Sequence, residues 1–206
     1  MSVVCLIACQ EPLDKQLDDA IDFSDPALVQ ALLAKGGNPN LLDSDGDPKL
    51  ISLARVHVDE EDTEIFKLLL QAGADPDITE KDGTTALMVA SRLGNKELVR
   101  ILLEAGSDPN RLDEDGYSSL MWASGLGYEG VMQLLLAAGA DPNLSQKGNC
   151  ALYMAIMDKH TGAVRRLLEA GANPNWHTDY GSSLLKVAAF HQSPEIESLL
   201  RQYGAE

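Results

Sequence analysis

The sequence predicts an all-α solenoid of stacked helix–turn–helix units joined by short β-turn fingers. Three observations predict it. One phrase recurs: LLAKGGNPN (32–40), LLQAGADPD (69–77), LLEAGSDPN (102–110), LLAAGADPN (135–143) and LLEAGANPN (167–175). Its glycine falls at Gly36, Gly73, Gly106, Gly139, Gly171 and Gly204, with spacings of 37, 33, 33, 32 and 33. A second glycine follows at Gly46, Gly83, Gly116, Gly148 and Gly181, each with a leucine four positions on at Leu50, Leu87, Leu120, Leu152 and Leu185. A fixed period of this length marks stacked repeats.

Each element has a physical reason. Leu98, Val99, Leu102 and Leu103 lie about one helical turn apart and form a stripe. The glycine after the stripe supplies a left-handed helix end. Asp-Pro or Asn-Pro then keeps the chain extended, because the residue before proline avoids the helical region. Asp82-Gly83 and Asp115-Gly116 are tight-turn pairs. Thr85, Ser118 and Ser183 are placed to cap the next helix. Ala90, Ala123, Ala155 and Ala188 are small enough to let neighbouring helices approach closely. One helix pair cannot bury its apolar face, so neighbours must stack.

The pattern D-x-x-G-x-T-x-x-L, then A, then LL-x-x-G-A-D/N-x-N, resembles the ankyrin repeat. The stretch DGTTALMVASRLGNKELVRILLEAGSDPN (82–110) carries the resemblance most fully, and the pattern covers about 13–206 in register. Two departures stand out. Proline follows the Asp or Asn where the family more often has Val or Ile. The family's TPLH reads TALM, SSLM, CALY and SLLK, so the histidine that bonds between neighbouring turns is missing.

The expected organisation is a lead-in segment at 1–12 and a repeat domain at 13–206, with repeats near 13–40, 41–77, 78–110, 111–143, 144–175 and 176–206. The first and last units look like end caps. Asp25-Pro26 and Ser193-Pro194 each place a capping residue before a proline at the first helical position. Glu197 and Arg201 replace apolar residues on the outermost helix. A longer helix or loop is expected at 55–63, around the acidic run Asp59-Glu60-Glu61-Asp62.

Acids outnumber bases 32 to 16, for a net charge of −16. Such a surface repels phosphate and favours a basic partner. No apolar run reaches the length of a membrane span. Cys5, Cys9 and Cys150 are too few and too scattered for a disulfide framework or a zinc site, which points to a reducing, cytoplasmic compartment. Leu6-Ile7-Ala8-Cys9 resembles a lipobox, so a lipid-anchored envelope protein stays open as the alternative. Residues 1–14 lack the Lys or Arg of a signal peptide.

The chain offers little chemistry. Gly125-Leu126-Gly127-Tyr128-Glu129-Gly130 spells GxGxxG, but a helical stretch precedes it where a nucleotide site needs a strand. Asp43-Ser44-Asp45-Gly46-Asp47 places its glycine fourth, whereas a calcium loop has it sixth. His57, His160, His177 and His191 share no metal spacing, and no serine sits in G-x-S-x-G. Cys150 stands where a capping Thr is usual and reads as a packed residue. We expect no catalytic residue, no metal and no cofactor. An enzyme with an unrecognised site remains the remote alternative.

The expected role is a monomeric protein-binding scaffold, in the manner of an inhibitor or sequestering factor for a basic protein. The resemblance implies that turn tips and the exposed side of each first helix line a concave groove. Carried across, those positions give Asp45, Asp82, Arg92, Asp115, Tyr117, Trp122, Leu126, Met157, Asp158, Tyr180 and Phe190 as partner-binding residues. The position before each repeated alanine adds Val89, Met154 and Val187. The asparagines ending the phrase (Asn40, Asn110, Asn143 and Asn175) fit a position hydroxylated in some relatives, but a bond to the turn backbone is the expected role. Acid is concentrated early, with 18 acids and 6 bases in 1–83 against 14 and 10 in 84–206. At physiological salt, micromolar protein should give no mobility shift with DNA or RNA. A shift would show that charge does not govern binding as argued.

Overall fold

The computed structural model describes residues 11–55 and 60–206. Cys5, Cys9, His57 and Asp59 lie outside the described residues, and so does most of the expected lead-in. The described residues form twelve helices: α1 (Leu13–Asp22), α2 (Pro26–Ala34), α3 (Lys49–Arg55), α4 (Glu60–Gln71), α5 (Ala86–Leu93), α6 (Lys96–Glu104), α7 (Ser119–Gly125), α8 (Glu129–Ala137), α9 (Ala151–Met157), α10 (Thr161–Glu169), α11 (Leu184–Phe190) and α12 (Pro194–Gln202). One antiparallel hairpin joins β1 (Ser145–Gln146) to β2 (Asn149–Cys150). The chain divides into two compact units, Met1–Lys81 and Asp82–Glu206.

In Asp82–Glu206 the helices form two layers. First helices α5, α7, α9 and α11 pack side by side, and second helices α6, α8, α10 and α12 pack behind them. Between the layers the four alanines Ala90, Ala123, Ala155 and Ala188 are wholly buried, as their size requires. Leu87, Leu120 and Leu152 are buried with them, facing Leu98, Leu102, Leu135, Leu167 and Leu200. The inward stripe of α6 differs slightly from the expected one. Ile101 is buried in it, while Leu103 is only half-buried.

Caps form where the sequence places them. Thr85 Oγ1 accepts the Met88 amide at 3.2 Å, Ser118 Oγ that of Met121 at 3.2 Å, and Ser183 Oγ that of Lys186 at 3.4 Å. Cys150 Sγ takes the same role toward the Tyr153 amide at 3.3 Å. Asp25 caps α2 through the Leu28 amide at 3.0 Å. Ser193 makes no such bond; its hydroxyl instead donates to the His191 carbonyl at 3.4 Å. Between paired helices, Gly94 and Gly127 take left-handed φ values of 70° and 71°. A Cβ at Gly127 would fall 2.6 Å from the His160 ring, and one at Gly94 2.9 Å from the Tyr128 ring. Lys159 and Gln192 occupy the matching turns with φ of 59° and 55°, a conformation that side chains usually avoid.

In Asp82–Glu206 the recurring asparagine ties one repeat to the next. Asn110 Nδ2 donates to the Gly139 carbonyl at 3.0 Å, while its Oδ1 accepts the Asp141 amide at 2.7 Å. Asn143 does the same with Gly171 and Asn173, and Asn175 with Gly204 and Glu206. Before each proline, the Asx side chain accepts the amide two residues on: Asp108 that of Asn110, Asp141 that of Asn143, Asn173 that of Asn175.

In Met1–Lys81, α1 packs on α2, and both α2 and α3 pack on α4. Leu17, Ile21, Val29, Leu32, Ile51, Ile65, Phe66 and Leu69 fill the core. Asn40 repeats the stitch, its Oδ1 accepting the Asp75 amide at 2.7 Å. Of the stretch 55–63, where a longer helix or loop is expected, residues 56–59 lie outside the described residues; Glu60, Glu61 and Asp62 form the first turn of the 12-residue α4, where acids suit the helix dipole.

Lys49 is the exception in this core. It is 5% exposed, at the register that holds Ala86, Ser119 and Ala151 elsewhere. Its ammonium pairs with Asp18 and lies 2.7 Å from Asp22 on α1. Burial works against the charge, but the two carboxylates outweigh it and hold the lysine pKa above its ordinary value. Nearby, burial works against the Asp43 charge too. The Ser52 hydroxyl, the Asp47 and Asp45 amides and the Lys49 charge together outweigh that and hold the Asp43 carboxyl below its ordinary range.

Leu102→Ala or Leu135→Ala should cost roughly 2–5 kcal/mol, the figure for a wholly buried leucine, measured by denaturant unfolding. Asn143→Ala removes two inter-repeat hydrogen bonds and should cost about 1–2 kcal/mol at the usual net value per bond. No loss would mean that the stitch does not hold the repeats. Asp43→Asn should cost about 1 kcal/mol at neutral pH. A depressed folded pKa contributes stability above the unfolded carboxylate value and loses it as pH falls through the folded one. The difference between Asp43→Asn and wild type should therefore vanish in acid, followed by far-ultraviolet circular dichroism. Every Trp and Tyr lies in Asp82–Glu206, so fluorescence does not report on this unit. A difference independent of pH would show that the charge contributes nothing.

Candidate functional site

The expected partner-binding residues sit on fingers and first helices, and all keep some exposure. The fingers are built from short local bonds. Asp113 Oδ1 accepts the Tyr117 amide at 2.8 Å, and the Asp113 amide donates to the Tyr117 carbonyl at 3.1 Å, which turns Glu114 and Asp115 outward at the tip. The Asp82 carbonyl accepts the Glu114 amide at 2.8 Å, and Lys147 Nζ donates to the Glu114 carbonyl, so successive fingers are tied together. Asp82 Oδ1 also accepts the Thr84 amide at 2.9 Å. In Met1–Lys81, the Asp43 carboxylate gathers the Asp45 and Asp47 amides and leaves Asp45 exposed at the tip.

The apolar candidates fall into two groups. Tyr117 stacks on Trp122 with ring centroids 4.7 Å apart, and the Arg92 guanidinium lies 5.7 Å from the Trp122 centroid. These three side chains, from neighbouring repeats, use one another's faces; Tyr117 and Trp122 are half-buried. Leu126, at the end of α7, is 43% exposed, and Asp158, just past α9, is exposed. Tyr180 and Phe190 form the second group, at 97% and 82% exposed. With Met157 they border a cleft of about 580 Å³.

That cleft also holds residues the sequence reading did not choose. Tyr153 on α9 lines it, held against Trp176 with centroids 5.7 Å apart, and so does Lys186 on α11. Lys186 lies one helical turn before Phe190, a spacing that puts both on one face and could have flagged it. Val89 belongs elsewhere: it is buried, because the position before the alanine there faces the adjoining helices rather than the groove. Met154 and Val187 are half-buried.

Cys150 is buried, and burial pushes its thiol pKa up to about 11, so it stays protonated at neutral pH and lacks the thiolate a nucleophile needs. The GxGxxG stretch runs from the end of α7 through the turn into the first two residues of α8, so the element directly ahead of it is a helix. Among the described residues, no group of three His, Cys, Asp or Glu is placed to hold a metal ion. No described helix is long and apolar enough to cross a membrane.

The model of the family described as ankyrin repeats (3 copies) matches residues 54–146 and 131–206. No curated protein matches the chain. An ankyrin repeat domain from Acinetobacter baumannii AYE, solved by crystallography, is 27% identical, with a TM-score of 0.84 over 92% of this chain and 98% of that one. A second solved ankyrin repeat protein is similar in fold, with 23% identity and a TM-score of 0.83 over 93% of this chain and 98% of that one. Ankyrin repeats are generally protein–protein interaction modules, typically non-enzymatic. The chain belongs to the ankyrin repeat family.

Proposed function

We propose that this chain binds a partner protein through its fingers and first helices, as a monomer in the cytoplasm, and that the partner presents a basic surface. Sequestration or inhibition of a basic protein is the role this suits. The observation that carries the reading is the exposure of Tyr180 and Phe190 beside an open cleft. The stacking of helices does not need bulky apolar groups there, and exposed aromatic area costs solubility unless something covers it. Charge supports the basic partner: Asp45, Asp82, Glu114 and Asp115 are exposed at the finger tips of a chain with net charge −16. Opposite charge on a partner speeds its capture.

Recovery of the partner by affinity purification from the native host, followed by surface plasmon resonance, tests this. Phe190→Ala and Tyr180→Ala should each weaken binding by about 2 kcal/mol or more, the hot-spot range, chiefly through faster dissociation. Changing Asp45, Asp82 and Asp115 together to Lys should lower the association rate and flatten its salt dependence. If these variants bind like wild type while Lys96→Glu or Arg165→Glu on the second helices abolishes binding, the partner uses the other face and the reading is wrong.

A further inference from the structure

One apolar position recurs eight residues before the repeat glycine, at Leu28, Ile65, Leu98, Val131, Ala163 and Ile196. From Ile65 to Ile196 it is at most 2% exposed, whereas Leu28 is 45% exposed. What sets Leu28 apart is that no described repeat precedes it. We propose that the apolar segment at 3–9 of the same chain folds back over this face and closes the open end of the first repeat. The face is built on α1 and α2. Ala20 and Leu32 are buried beneath it, Phe23 stands out at its edge, and with Leu28 they line a groove of about 300 Å³.

The chain is already aimed at this groove. Glu11, the first described residue, lines it. Gln16 Nε2 donates to the Glu11 carbonyl at 2.8 Å, which pins the chain against α1 at that point. Shortly before it, Val3-Val4-Cys5-Leu6-Ile7-Ala8-Cys9 carries no charge. Seven residues reach about 23 Å when extended. Packed helices lie roughly 8–10 Å apart, so the segment is long enough to cover both α1 and α2. Being tethered, it meets the face at a high effective concentration, an advantage no free partner has. Charge disfavours a second copy as the occupant. No basic residue lines the groove. Asp19 is paired with Lys15 at 3.0 Å, but no ion pair among the described residues involves Glu11 or Asp25 at the rim. Two copies meeting end to end would set these acids against each other, whereas 3–9 brings none. A segment seated here is also withdrawn from any bilayer, so it does not anchor the chain through Cys9.

Nuclear Overhauser contacts in the isotope-labelled full chain test this. Methyl groups of Leu6, Ile7 or the two valines should show contacts to the Leu28 methyls or the Phe23 ring within one chain. Amide exchange across 3–9 should be slowed about tenfold or more relative to an unprotected peptide, the factor that burying one large aliphatic side chain supplies. Leu28→Asp should remove that protection. Leu126→Asp, at a leucine 43% exposed in Asp82–Glu206, should leave it in place. Circular dichroism checks that both variants fold, and the contacts in the wild-type chain decide the matter if Leu28→Asp does not. The absence of any contact between 3–9 and the Leu28 face overturns the proposal. So does protection that survives Leu28→Asp. Contacts found only between labelled and unlabelled chains in a mixed sample would place a second copy there, which also overturns it.

Discussion

Each helix pair in this chain exposes more apolar surface than it can bury, so the fold depends on holding one repeat in fixed register on the next. The Asx-Pro-Asn turn does this. Its first residue accepts the amide of the third, which fixes the turn from within. Proline keeps that first residue extended and removes an amide that would need a partner. The third residue then reaches forward with both ends of its amide, donating to the glycine carbonyl that ends the next second helix and accepting the amide just beyond it. Only an amide of this length can do both, since a carboxylate donates nothing. Where the TPLH histidine is missing, Asn110, Asn143 and Asn175 supply a polar bond between neighbouring repeats at the opposite end of the unit.

Much of this fold was legible because its rules are local. The leucine and alanine periods, the caps at Thr85, Ser118 and Ser183, and the glycine helix ends all depend on residues a few positions apart. The forward reach of Asn110 and Asn143 does not, since their partners lie 29 and 28 residues away. Sequence reading saw a turn asparagine and missed that it crosses to the next repeat. Ser193 shows a second limit. A hydroxyl has alternatives, and here the His191 carbonyl takes its proton while the α12 amides go without it. Lys49 shows a third. In a line of alanine and serine it looks like a surface residue, and only the placement of Asp18 and Asp22 on α1 makes its burial tolerable.

The candidate site was legible by position and only partly by role. Aromatic type marks Tyr117, Trp122, Tyr180 and Phe190 equally. Their difference comes from neighbours: Trp122 has the Tyr117 ring and the Arg92 guanidinium against it, whereas Tyr180 and Phe190 stand in solvent. Arg92 lies 30 positions before Trp122, so nothing local announces the stack. Charge behaves similarly. The total of −16 describes the chain, yet the cleft is lined by Lys186 as well as Asp179. A net charge sets the long-range field, while recognition responds to the few groups within a Debye length.

Binding and stability meet at the cleft beside Tyr180 and Phe190. In a linear array each repeat is held by its neighbours. The last pair, α11 and α12, is attached through α9, α10 and the Asn175 stitch. The cleft is lined by both α9 and α11, so a ligand seated there spans the same interface. Its binding energy adds directly to the interface between the last two repeats, and a ligand that binds only the folded form stabilises in proportion to the logarithm of its concentration over Kd. A partner seated there would therefore strengthen the contact between α9 and α11.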